Sequence, residues 1–141
     1  FEKEETYVDA LLSSFRPRRK DAREFSLVNR ILLLQTEVGT PVDVSLAGLP
    51  YEEEIVAHAT PFEFKDGITI PTCSADDLFV MKAFASRPKD WLDNESIVTR
   101  HGKHLDRAYI LSRLKSLSKV VDRPELLTVA RYVLEGKPWR R

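Results

Sequence analysis

The sequence is poor in the features that staple or anchor a small protein. Its 141 residues hold one cysteine, Cys73, so no internal disulfide can form and no zinc site can be built on cysteine pairs. The opening "FEKEETYVDA" is acidic and amphipathic, unlike the basic, apolar start of a secretory leader. A lone thiol with no such leader points to a reducing compartment, and the expected location is the cytoplasm. The longest apolar run is "ILLL" at 31–34, far short of the ~20 residues that a membrane-crossing helix needs. No membrane partner is therefore expected. Charge of one sign is not in excess either: 22 Lys+Arg stand against 22 Asp+Glu. That balance removes any global pull toward nucleic acid or anionic lipid and leaves only local patches to argue from. Internal repeats and low-complexity stretches are also missing.

What is present suffices for one core. Hydrophobic residues make up 43% of the chain, which argues against disorder, and the length suits a single domain. In residues 4–15 the apolar side chains Tyr7, Val8, Leu11, Leu12 and Phe15 recur at helical spacing. "RPRRKDAR" breaks that pattern. The next stretch, rich in branched and aromatic residues, predicts strands over 25–36 and 41–47. Pro41 suits a strand start because it cannot donate to a ladder. A short helix over 52–59 follows, then a hairpin of strands 61–65 and 68–71 turning at Asp66-Gly67.

From Ser74 the period changes from two to 3.6. Ser74 is a good N-cap, with Asp76 and Asp77 in the first turn, where the helix dipole favours negative charge. The helix it opens ends near Arg87. Pro88 suits the first position of the next helix, and Gly102 its end. Two more helices are expected over 106–120 and 124–134. The expected fold class is α+β: a mixed sheet followed by a C-terminal helical bundle. Residues 1–72 form the strand-rich half and 73–141 the helical half of one compact domain.

Two segments could carry chemistry. Asp43 lies between Val42 and Val44 in a strand that otherwise reads as buried. A carboxylate fixed on a strand suits a magnesium ion; an Asp that faces water or caps a turn would look the same. In "KAFASRPKDWLDNESI" three cations, Lys82, Arg87 and Lys89, gather at a helix junction, and Asp90 and Asp93 lie one turn apart on the following helix. Cations at a helix N-terminus can seat phosphates, yet the same carboxylates could simply complement the dipole and pair with the cations. The basic cluster Arg16, Arg18, Arg19, Lys20 and Arg23 could touch RNA phosphates or be a solvated loop. His101 and His104 lack a third ligand nearby. Cys73 reads as a small core residue. Tyr109, Leu111, Leu114, Leu117 and Val121 read as a core stripe, and Trp91 and Trp139 as packing anchors.

At these points a family resemblance enters. "PVDVSLAGLPYEEEIVAHA" and "SADDLFVMKAFASRPKDWLDNESIVTRHGKHLDRAYI" resemble AbiEii/AbiGii-type nucleotidyltransferases, which include the toxin halves of type IV toxin–antitoxin pairs. The resemblance spans about residues 15–110, and the Lys then Arg-x-Lys-Asp-x-x-Asp pattern is its most specific part. It implies a nucleotidyltransferase-like fold, with residues 1–72 a partial core, and transfer of a nucleoside monophosphate from a nucleoside triphosphate to an acceptor hydroxyl. It implies Asp43 as a catalytic and metal-binding carboxylate, Asp90 as a catalytic position and Lys82 as a nucleotide-binding position, and the cations Arg87 and Lys89 of the same junction are expected to join Lys82 in binding the nucleotide. Mg2+ is the implied cofactor; an antitoxin protein and an RNA or protein acceptor are the implied partners. The family also opens with a Gly-Ser loop and an Asp-x-Asp strand, and these 141 residues contain neither. Those motifs are expected upstream of Phe1. Without them, the alternative is a catalytically inactive domain that binds a nucleotide or a partner, or one that keeps only the core packing.

Overall fold

In unit 1, which reaches to Glu54, two helices lie on a three-stranded antiparallel sheet. It is one of two compact units into which the chain divides, the second starting at Ile55; the computed structural model describes residues 3–139. Helix α1 (Glu4–Ser14) leads through the two-residue strand β1 (Arg16–Pro17) to α2 (Ala22–Asn29). Strands β2 (Ile31–Gln35) and β3 (Pro41–Ser45) follow, with the sheet order β1-β2-β3. The register pairs Leu32 with Val44, Leu33 with Asp43 and Leu34 with Val42. Val8, Ala22, Leu32 and Leu34 form the core, with Leu11, Leu12, Phe15, Val42 and Val44 packed against it. Each fully buried leucine contributes about 1.5–3 kcal/mol relative to exposure. Tyr7, placed by spacing in the same stripe as Val8, is exposed instead.

The strand predicted over 25–36 is a helix in its first part. Ala22 and Ser26, four residues apart, are both buried, which is the spacing of a helix face. The Ser26 hydroxyl is absorbed locally, donating to the Arg23 carbonyl at 2.8 Å. Arg30 stops the helix in a left-handed conformation, φ 55°. Its guanidinium donates to the carbonyls of Leu46 and Ala47 and to Glu4. Those long-range bonds, rather than local propensity, fix where helix gives way to strand.

In unit 2 the hairpin β4 (Thr60–Lys65) and β5 (Ile68–Thr72) pairs antiparallel, with Phe62 opposite Ile70. The predicted single mixed sheet is thus two separate antiparallel sheets. Helix α3 (Pro50–Ala57) carries the boundary between the units. The predicted helices become α4 (Ala75–Ala85), α5 (Pro88–His101), α6 (Arg107–Val120) and α7 (Glu125–Leu134). Helix α4 packs on α5 and α6, and α7 packs on α5 and α6. Seven helices and five strands are found among the described residues. The ends follow local chemistry. The Ser74 hydroxyl accepts from the Asp77 amide at 3.0 Å, and Asp106 accepts from the Tyr109 amide at 2.9 Å.

The buried stripe of α6 is Ile110, Leu114 and Leu117, with Ser118; Val121 is exposed. Tyr109 is half-buried and its hydroxyl donates to the buried Asp77 at 2.7 Å. Trp91 is an anchor, 2% exposed. Cys73, read from sequence as core, is exposed, because it falls in the connection between β5 and the cap of α4. No described helix is long and apolar enough to cross a membrane.

Candidate functional site

In unit 1 the alternation of β3 turns Val42 and Val44 toward the core and Asp43 outward. Asp43 does not stand free: its carboxylate accepts a hydrogen bond from the guanidinium of Arg18, and its side chain is 59% exposed. Arg18 is brought there by its backbone amide, which donates to the Leu33 carbonyl at 3.0 Å, opposite Asp43 in the ladder. Two more cations of the basic cluster are similarly engaged. Arg19 pairs with Asp21 and lies 4.0 Å over the Phe25 ring. Arg23 bridges Asp9 at 2.8 Å and Glu5 at 2.7 Å. Three of the five cations that could have met RNA phosphates thus already face carboxylates of this unit.

In unit 2 the α4–α5 junction is built by the chain reversal at Ser86, whose backbone is left-handed, φ 56°. Pro88 presets the first turn of α5. That turn places Asp90 back over the junction, 2% exposed. Its carboxylate accepts from the Arg87 amide at 3.1 Å and from the Arg87 guanidinium at 2.6 and 3.1 Å. These hydrogen bonds hold the Asp90 carboxyl below the usual aspartate range, against the opposing effect of burial, with Lys82 adding a smaller pull. The same pair raises the Arg87 guanidinium. A carboxylate stabilised in this way is a poor proton acceptor and a good fixed negative charge.

Lys82 reaches the junction from the last turn of α4. Its ammonium donates to Asp93 at 2.6 Å and lies 4.0 Å from Asp90, with the side chain 25% exposed. Lys82 and Asp93 line a groove of 400 Å³ between α4 and α5, with Leu78, Ser96, Arg100 and His101. Lys82, Arg87 and Asp90 are therefore brought together. Lys89 is exposed on the first turn of α5.

Asp93, which its spacing sets beside Asp90, is the closest partner of Lys82. One participant, Ser86, carried no signal in the sequence. Ser86 accepts from the Trp91 indole at 3.1 Å and the Arg123 guanidinium at 3.2 Å. Nothing in the sequence could have linked Arg123 to a serine 37 residues away.

Among the described residues no group of three or more His, Cys, Asp or Glu side chains could hold a metal ion. Asp43, with Arg18 on it, supplies a single carboxylate, so the residues present do not make up a magnesium site. Compared with known proteins, the chain matches no family model, no curated sequence and no solved structure.

Proposed function

We propose that this chain is a nucleotidyltransferase-type protein whose α4–α5 junction receives the phosphates of a nucleoside triphosphate. The observation that carries this reading is the Lys82 ammonium, held between Asp93 and Asp90 on the wall of an open groove. A lysine fixed by two carboxylates is oriented before a ligand arrives, so less side-chain entropy is lost on binding. A phosphate chain would compete with Asp93, the more exposed partner, while Asp90 stays locked by Arg87 and keeps the junction in shape. Arg87 and Lys89 add positive charge at the start of α5, where backbone amides also favour an anion.

Asp43 is proposed as one carboxylate of the metal set that the family resemblance implies. An antitoxin partner and an RNA or protein acceptor belong to the same proposal. No transfer step is assigned to these residues, because the Asp-x-Asp pair that would complete the Mg2+ set is not in the sequence. The second reading, an inactive nucleotide- or partner-binding domain, is favoured by one observation: the Arg18 guanidinium occupies the Asp43 carboxylate.

Calorimetric titration with ATP, GTP, CTP and UTP in magnesium tests the binding half. Lys82→Ala is expected to weaken the bound nucleotide about tenfold or more, the loss of one charge-assisted hydrogen bond. Equal affinities for the variant and the parent would refute the role of Lys82. The catalytic half is tested by Asp43→Ala in a protein that also carries the Asp-x-Asp pair: transfer activity should vanish while nucleotide binding persists.

A further inference from the structure

A second groove in unit 2 lies at the far end of α5. Asp90 opens that helix and Arg100, which lines both grooves, closes it about 15 Å further along the axis. The groove measures 520 Å³ and has Gly102 and Gly136 among its lining, within the size range of small-ligand sites. Arg100, Lys103, His104 and Arg107 line it, against a single carboxylate, Glu135. That carboxylate is already bound to Lys137 at 2.6 Å. Among the described residues Arg100, Lys103 and Arg107 form no salt bridge, although Arg107 is near enough to help lower the Glu135 carboxyl.

Folding alone does not call for this arrangement. Arg100 sits in the last turn of α5, where a cation offsets the negative end of the helix. Arg107 is the opposite case. It is the first residue of α6, at the positive end, and that helix has no acidic residue in its first turn. A cation there works against the dipole. In a chain with as many acids as bases, three permanent cations line one groove without a salt bridge, one of them at an unfavourable helix position.

We infer that this groove binds a ligand carrying two or more linked phosphates, through Lys103 and Arg107, with Arg100, which also lines the Lys82 groove, at its edge. Several cations spread over α5, the following turn and α6 match a chain of phosphate oxygens better than a single small anion. The groove is lined by no Phe, Tyr or Trp, and His104 is its single aromatic ring, so it lacks the run of stacking platforms that single-stranded nucleic acids use. A small diphosphate or triphosphate ligand fits that lining better than an oligonucleotide.

The test uses inorganic pyrophosphate and tripolyphosphate, without magnesium, titrated calorimetrically into the whole chain. Binding is expected, and it is weakened at least tenfold by Lys103→Glu/Arg107→Glu when both proteins also carry Lys82→Ala, which removes any contribution of the phosphate site proposed at the α4–α5 junction. The melting temperature of Lys103→Glu/Arg107→Glu is measured beside its binding, so that lost binding in a folded variant cannot be ascribed to unfolding. The charge-neutral pair Lys103→Gln/Arg107→Gln gives a second readout, with an intermediate loss expected. Absence of pyrophosphate binding, or binding indifferent to both double variants, overturns the inference. So does an oligonucleotide that binds with a steep salt dependence and is not displaced by pyrophosphate, since it would assign the patch to a nucleic-acid backbone.

Discussion

Replacing Asp90 by alanine should be among the most costly single changes in unit 2, and the structure gives the size. The carboxylate is 2% exposed and accepts three hydrogen bonds from Arg87, one from the amide and two from the guanidinium. A hydrogen bond to a charged group is worth ~1.5–3 kcal/mol. The three are not additive, because the Arg87 side chain is 75% exposed and regains water when released. The amide bond is an N-terminal cap, worth ~1 kcal/mol. Lys82 keeps Asp93. A net loss of about 2–3 kcal/mol follows, measured by urea unfolding monitored at Trp91. Asp90→Asn keeps an acceptor for the amide and should lose about half as much. The pH dependence has a definite sign. Because the folded-state carboxyl is held below its ordinary value of 3.8, its contribution is complete above that value and is lost as the pH falls through the folded pKa. The gap between parent and variant should therefore be constant near neutrality and close below about pH 4. A cost under ~0.5 kcal/mol, or a gap that does not narrow in acid, would refute the view that Asp90 works as a buried, charge-assisted cap.

Other substitutions probe separate links. Asp43→Asn removes an exposed pair with Arg18 and should change stability by less than ~1 kcal/mol; a loss as large as that of Asp90→Ala would show that exposure does not discount the pair. Gly102→Ala would place a methyl group 2.5 Å from the Val98 carbonyl oxygen, so it should destabilise by about 1–3 kcal/mol, although alanine normally favours helix; a raised melting temperature would refute the clash. Phe79→Ala empties a fully buried position in α4 and should cost ~3–5 kcal/mol in the same denaturant assay. Cys73 is exposed and should be labelled by a thiol reagent in the native state, a result that protection until unfolding would contradict.

Much of this fold was written locally. Ser74, Pro88 and Asp106 mark helix starts through groups that act within one turn, so α4, α5 and α6 could be placed from sequence to within a residue or two. The same holds for the turn at Asp66-Gly67, where Gly67 adopts φ 75°, a conformation costly for any residue with a Cβ. The period-two pattern of β3 likewise gave the facing of Asp43. What failed was whatever depended on distant partners. Phe25 and Val28 have strand-like chemistry, yet both lie in α2, whose buried face is Ala22 and Ser26 and whose end Arg30 ties to carbonyls 16 and 17 residues later. The division of five strands into two sheets is invisible to alternation, which reports a face and not a neighbour. At the site the sequence supplied Lys82, Arg87 and Asp90 as a cluster, since they lie within two adjacent helix ends. The Arg87–Asp90 pair is local, the first and fourth residues of a capping box, but only the tertiary structure decided that Asp93 is the closest partner of Lys82 and that Arg18 sits on Asp43. Ion pairing is settled by which side chains the packed backbone brings within a few ångströms, and that distance is set by the whole fold rather than by spacing along the chain.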